Sequence, residues 1–344
     1  MPPAHASNKE EKQNRMLAML VDPQATDDSM LHYADVASPE AGAGEILVRT
    51  AAAGVNRADA LQRSNKYRQP ALERPGIARV AGMEVAGTVS AVGVGVTTWA
   101  PGDRVIAMCG GSYAEVAVVD HALAMAQPEG LSDQQAASLP VALMTAYDAL
   151  VLAGGLQPGQ CVLITAAASA VGLVACQIAL ALGANLVLGL SRGEQGRAAI
   201  AGTGAVPVGA QPSLRDELGA LTGGRAPDLV IDHVGGDIAG QAINCMALGG
   251  RLVSVGRLGG RMLNLDLNEL ARKRLTVVGT TFRTRNLAAY RTITAGVQHS
   301  LLPLVASRQI VPTLDRAFDL PEANEAIDYA LTSRPPGKVV LDLT

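Results

Sequence analysis

Cys161-Val162-Leu163-Ile164-Thr165-Ala166-Ala167-Ala168-Ser169-Ala170-Val171-Gly172 is the stretch whose reading decides the fold. It reads as a buried strand, then a tight turn of tiny side chains, then a long helix running to Gly183. Such a turn lets the backbone come close to a pyrophosphate, whose charge then rests on the free N–H groups and dipole of a helix N-terminus. The motif is a degenerate Gly-x-Gly-x-x-Gly: Ser169 and Ala170 lie where glycine is wanted, and Gly172 keeps its place. Alone it also fits a strand, turn and helix packed with alanines.

The residues that follow favour a dinucleotide. After Gly183-Ala184 a second apolar run, Leu186-Val187-Leu188-Gly189-Leu190, ends in Ser191-Arg192. A β-α-β unit of this length is the dinucleotide-binding half-fold, and NAD-binding versions usually carry Asp or Glu at this strand end to hold the ribose 2′-hydroxyl. Here Ser191 and Arg192 stand instead, with Arg197 about one helical turn on. An acid repels a 2′-phosphate, whereas a guanidinium grips it with two hydrogen bonds, so the cofactor expected is NADPH. The plainer alternative is that both arginines solvate a turn and a helix face.

Further strands are expected at 228–232, 249–256 and 275–282. Such continuous apolar runs suit parallel strands covered on both faces, and ligands bind at the carboxyl ends of such sheets, here Gly-rich. Before residue 140 the pattern changes to runs at 45–50, 85–92, 102–107 and 112–119 separated by Gly turns, a mostly antiparallel, barrel-like arrangement. A helix over 133–139 is expected to be closed by Pro140. The tail reads as a helix from Leu287, a strand at 311–314, a helix at 322–331 and a last strand at 338–343.

Composition narrows the function. The chain has 344 residues, enough for two cores, and a net charge of −3 with no basic footprint for nucleic acid. The longest apolar segment, 165–182, is accounted for by a helix on a sheet, so no membrane partner is expected. Residues 1–15 are polar and charged, without the apolar core of a signal peptide; they are expected to be disordered, and the protein cytoplasmic. Cys109, Cys161, Cys176 and Cys245 show no C-x-x-C spacing, which points away from both a zinc site and a disulfide framework. Cys161 and Cys176 read as buried small hydrophobes, and Cys109, beside Gly110-Gly111, is the one to test for reactivity.

A resemblance emerges from motifs in a fixed order: Ala53-Gly54-Val55-Asn56-Arg57-Ala58-Asp59, then Tyr67, Gly82-Met83-Glu84-Val85-Ala86-Gly87, Gly102-Asp103-Arg104-Val105, Tyr113-Ala114-Glu115, Leu139-Pro140 with Thr145-Ala146-Tyr147, the nucleotide turn, and Gly337-Lys338-Val339-Val340-Leu341. From Met16 to Thr344 the chain resembles the zinc-free quinone oxidoreductases of the medium-chain dehydrogenase/reductase superfamily, and is similar to zeta-crystallin and polyketide enoyl reductases. The resemblance implies an α/β fold in which a GroES-like catalytic domain (16–137 and 284–344) surrounds a Rossmann domain (138–283). It also implies a homodimer, joined through the nearly uncharged edge strand at 275–282.

The resemblance assigns residue roles as well. Asn56 and Met83 stand where zinc-dependent relatives place a Cys and a His ligand, and neither an amide nor a thioether is a good zinc ligand, so no metal is expected. Without a Lewis acid, hydride addition to an activated C=C or a quinone is easier than alcohol oxidation. Tyr67 is expected over the nicotinamide, either donating to the substrate carbonyl or only packing. Asn56 is expected to orient the substrate or the carboxamide, and Thr145 to bond the nicotinamide. Ser169, Ala170 and Val171 should offer N–H groups to the pyrophosphate, and Ser191, Arg192 and Arg197 should meet the 2′-phosphate. His233, Val255 and Gly256 should lie near the cofactor. The loop Phe282-Arg283-Thr284-Arg285 should close over the nicotinamide, with Gly337 and Lys338 on its far side. Ser64-Asn65-Lys66 replaces a Gly-containing loop, which implies a reshaped substrate mouth. The expectation is an NADPH-dependent reductase of a quinone or an α,β-unsaturated carbonyl. The alternatives are an enoyl reductase acting on an acyl or polyketide intermediate, and an NADPH-binding protein without turnover.

Overall fold

The computed structural model describes residues 15–74, 79–209 and 213–344. Six parallel strands form one sheet in the order Val206–Val208, Leu186–Leu190, Cys161–Ile164, Leu229–Asp232, Arg251–Ser254, Thr276–Gly279. Counted along the chain this is 3-2-1-4-5-6, the doubly wound dinucleotide-binding order, whose crevice lies where the order reverses, between Cys161–Ile164 and Leu229–Asp232. Both of those strands are fully buried, as their unbroken apolar sequence requires.

A second, seven-stranded and mostly antiparallel sheet takes strands from both halves of the chain. Glu45–Gly54 is its hub, pairing with Glu84–Val92, Val116–Asp120 and the C-terminal strand Lys338–Asp342. Arg15–Leu20 and His32–Ala37 form a separate antiparallel pair. The fold class expected from sequence is the one observed. Of the N-terminal extension, residues 1–14 lie outside the described residues, and Arg15 already belongs to the first strand.

Several boundaries differ from expectation for identifiable reasons. Pro140 does not close a helix: Asp133–Ala137 ends first, and Pro140 opens a second helix, Pro140–Tyr147, where its missing N–H costs nothing. That helix continues as a wide π turn, Asp148–Ala153. Among the described residues the run Asp133–Ala153, rather than 165–182, is the one long and apolar enough by length and composition to cross a membrane, and 72% of its apolar window is buried inside the protein. It joins the cores of the two sheets into one continuous cluster. The strand expected at 275–282 is shorter, Thr276–Gly279, because Thr280 and Phe282 turn away to hold a loop. The strand expected at 311–314 begins only at Leu314 and runs to Asp319.

The nucleotide turn is close-packed. A Cβ on Gly172 would lie 2.6 Å from Ala166 O and 2.6 Å from Ala167 Cα, both backbone atoms that cannot swing aside. Gly172→Ala should therefore destabilise the protein by about 1–3 kcal/mol, read as a lowered melting temperature in calorimetry; an unchanged melting temperature would contradict this packing.

Candidate active site

The site is built around a buried ion pair. Glu84 opens its strand and is fully buried; Lys338 opens the C-terminal strand with a side chain 3% exposed, and its Nζ donates to Glu84 Oε1. Lys338 Nζ also donates to Asn56 Oδ1 at 2.7 Å, and Asn56 Nδ2 donates to Glu84 Oε1 at 2.8 Å. The other carboxylate oxygen accepts the N–H of Val141, at the start of the inter-sheet helix, at 2.8 Å. A Cβ on Gly54 would fall 2.3 Å from Glu84 Oε1, so glycine there makes room for the carboxylate.

Asn56 and Lys338 are both bound into this buried pair. Both ends of the Asn56 amide are committed to Glu84 and Lys338, and the Lys338 ammonium faces inward to the same pair. The nucleotide turn is met instead by the backbone of Gly337, whose N–H donates to Ala168 O at 3.3 Å and which bridges Ser169.

Behind Asn56 lies a second buried acid. Asp59 Oδ2 accepts the Asn56 N–H at 2.6 Å and the Tyr113 hydroxyl at 2.7 Å, while Oδ1 is buried without a partner. Burial pushes its pKa up to about 7, against the pull of the Tyr113 and Asn56 hydrogen bonds and of the Lys338 charge.

Tyr67 is half-buried at the edge of this network. Burial raises its pKa to about 12, Arg283 opposes the rise and Asp59 adds to it. The Arg283 guanidinium lies over its ring, 5.2 Å from the centroid, and Nη2 donates to Lys66 O at 2.9 Å. The loop carrying Arg283 is anchored from below: Arg285 Nη2 is 2.6 Å from Asp148 Oδ1, Thr280 donates to the same carboxylate, and Asp148 is 2% exposed in the π turn. Phe282 is buried against Tyr290, whose hydroxyl donates to Phe282 O and accepts from Gln69 Nε2, each at 2.8 Å.

The nucleotide turn lies at the carboxyl end of Cys161–Ile164. Ser169 caps the helix Ala170–Ala181, its Oγ accepting the Gly172 N–H at 3.2 Å. The N–H groups of Ala170 and Val171 have no partner among the described residues. Ala166 adopts φ 47, a left-handed conformation unusual for alanine and held here by the turn. At the end of the second strand, Arg197 Nη1 donates to Arg192 O at 2.9 Å, so Arg197 braces the turn while Arg192 is exposed with no ion pair among the described residues. Ser191 Oγ packs on Gly196, where a Cβ would come within 2.3 Å. His233 is buried, its Nε2 has no partner, and burial lowers its pKa to about 4, so the imidazole is neutral. Gly256 passes so close that a Cβ would meet His233 O at 2.3 Å; Val255 beside it is half-buried. Thr145 is half-buried within the inter-sheet helix Pro140–Tyr147. Cys109 is buried and its thiol is pushed up to about 12 by burial and then by Glu84, so it is no reactive thiol.

Four acids to which the sequence motifs assign no role hold this site: Glu84, Asp59, Asp148 and Asp232, the last accepting from Thr165 Oγ1 and the N–H groups of Val234 and Gly235. Each sits in or beside an apolar run, which is the signal that was available, because a carboxylate there needs buried partners. Among the described residues no group of three or more His, Cys, Asp or Glu side chains is arranged to hold a metal.

Comparison with known proteins fits this geometry. A family profile described as alcohol dehydrogenase GroES-like domain matches residues 42–129, and one described as zinc-binding dehydrogenase matches 170–295. The chain is 32% identical over 305 residues to the quinone oxidoreductase-like protein 2 homolog of Nematostella vectensis, covering 88% of this chain and 82% of that one. It is 34% identical over 243 residues to erythronolide synthase EryA2 of Saccharopolyspora erythraea, covering 68% of this chain but 7% of that much larger protein. The quinone oxidoreductase of Escherichia coli, solved in complex with NADPH, superposes with a TM-score of 0.81 at 27% identity, covering 96% of this chain and 100% of that one. The chain belongs to the quinone oxidoreductase family of the medium-chain dehydrogenase/reductase superfamily, and it is an oxidoreductase of that type.

Two outcomes test the buried network. Lys338→Met leaves Glu84 a buried charge without its cation and should cost about 3–5 kcal/mol in denaturant unfolding, much of it recovered when Glu84→Gln is added; equal losses in the single and double variants would contradict the pairing. Asp59 has a folded pKa above its unfolded one, so the folded chain holds the proton that the unfolded chain releases. Its contribution to stability is present at low pH and disappears as pH rises from about 4 to about 7. The stability of the native protein relative to Asp59→Asn should fall across that window; a difference independent of pH would count against a raised pKa.

Proposed function

We propose that the protein is an NADPH-dependent reductase that delivers hydride to a quinone or an α,β-unsaturated carbonyl without a metal. One observation carries the cofactor reading: Arg192, with no ion pair among the described residues, stands at the end of the second strand, where an NAD-binding chain holds an acid. The unpartnered N–H groups of Ala170 and Val171 suit the pyrophosphate, and the orphaned Nε2 of neutral His233 suits a ribose hydroxyl. When bound, the dihydronicotinamide supplies the hydride. Tyr67 donates a hydrogen bond to the substrate oxygen, where negative charge grows as the double bond is reduced. Its high pKa keeps the hydroxyl protonated at neutral pH. Phe282 and the Arg285–Asp148 pair hold the loop that excludes water from that oxygen.

A second reading, an enoyl reductase acting on a thioester-linked intermediate, is favoured by the similarity to EryA2. Steady-state rates over quinones, simple enones and thioester-linked enoyl substrates separate the two. Turnover with none of them leaves an NADPH-binding protein.

NADPH should bind far more tightly than NADH. Arg192→Ala removes a charge-assisted contact and should weaken NADPH about ten- to a hundredfold while leaving NADH nearly unchanged, as read by titration calorimetry; equal affinities in the native protein would contradict the assignment.

The molecule is also proposed to be a homodimer. Among the described residues Thr276–Gly279 is paired on one side only, and Met262, Leu267 and Val277 are 84%, 69% and 42% exposed. A cavity of about 550 Å³ opens here with Met262, Leu263 and Val277 in its wall. A second copy paired across a two-fold axis continues the sheet and covers this apolar edge. Light scattering should give twice the chain mass at micromolar concentration, and Val278→Pro should give monomer or insoluble protein; a native monomer would overturn the proposal.

A further inference from the structure

We propose that Arg283 is a positioning residue that strengthens Tyr67 as a hydrogen-bond donor and thereby sets how well the substrate oxygen is stabilised. This rests on the reading of Tyr67 as the donor to that oxygen. Arg283 is exposed and takes part in no ion pair among the described residues; its contacts are the Tyr67 ring and Lys66 O. A cation over a phenol ring favours electron density moving out of the O–H bond, so the hydroxyl donates more strongly than under a neutral neighbour.

The placement is built rather than incidental. Asp148 ties together the two ends of the loop, Thr280 and Arg285, and Tyr290 fixes the Phe282 carbonyl. Gln69 ties Tyr290 back to the segment that follows Tyr67. On the far side, Arg79 donates to Tyr67 O. The Tyr67 backbone is thus held by Arg79, and the Arg283 guanidinium, carried on the anchored loop, is held over the ring by Lys66 O. Burial and the charge of Asp59 both work against tyrosine acidity here, and Arg283 is the neighbour that works for it.

The test is a double-mutant cycle with an enone as substrate, using the native protein, Arg283→Met, Arg283→Lys, Tyr67→Phe and the Arg283→Met/Tyr67→Phe double variant. Arg283→Met should lower kcat about two- to fivefold, the size expected of an exposed cation over a ring, with the lysine variant in between. The loss should vanish in the Tyr67→Phe background, which keeps the ring and removes the hydroxyl. A readout independent of turnover is the infrared carbonyl stretch of a bound saturated ketone: it should shift furthest to low frequency in the native protein, less in Arg283→Met, and not respond to Arg283→Met once Tyr67 is Phe. An equal loss in both backgrounds, or none in either, overturns the proposal. If Tyr67→Phe itself changes neither rate nor stretch, the reading of Tyr67 fails and this proposal with it. If Tyr67→Phe is impaired but Arg283→Met is not, only this proposal fails.

Discussion

The buried pair between Glu84 and Lys338 is the constraint on which the rest of the molecule depends. A carboxylate and an ammonium taken out of water together are tolerable only when close and further hydrogen-bonded. Asn56 bonds both partners and Val141 donates to the carboxylate. These groups come from four separate segments: the loop after the hub strand, the start of Glu84–Val92, the start of the inter-sheet helix and the first residue of the C-terminal strand. The ion pair therefore knits the two ends of the chain to the middle, and no one of these segments can shift without exposing a charge to apolar surroundings. Its bearing on chemistry is indirect. Lys338 carries Gly337 with it, and Gly337 is the residue of the C-terminal segment that touches the nucleotide turn.

A second ion pair, Arg285 with Asp148, plays the corresponding part on the other side of the cleft. Asp148, buried at the first position of the π turn, meets Thr280 and Arg285 beyond the last parallel strand. Tyr67 meets the loop held by this pair through Arg283, while the Ser169 turn and the buried His233 lie at the carboxyl ends of Cys161–Ile164 and Leu229–Asp232. Preorganised donors cost no reorganisation when charge develops, which is what the proposed reduction would draw on.

The fold was legible because its signals were local. Unbroken apolar runs ending in glycine marked the parallel strands, and Gly172 marked the tight turn after Cys161–Ile164. Val206–Val208 escaped notice because three residues with a central proline make a poor strand signal, although an edge position accepts them. Pro140 misled because proline both ends helices and begins them, and the choice depends on what the preceding residues do. The site was legible in position but less so in role. Motif order placed Asn56 and Lys338 at the cleft, yet which way an amide and an ammonium turn is decided by Glu84, which lies 28 residues from one and 254 from the other. Pairings over such separations leave no periodicity to read. The contact of Arg283 with Tyr67 is of the same kind.

The central claim is hydride transfer from the cofactor to carbon or quinone within this cleft. It is tested most directly by supplying NADPH deuterated at the transferable position together with an α,β-unsaturated ketone and examining the product by mass spectrometry and NMR. The account predicts one deuterium per product molecule, at the β carbon and on one face only. A reduced product carrying deuterium only when the solvent is deuterated, or no product with any enone or quinone offered, would contradict it.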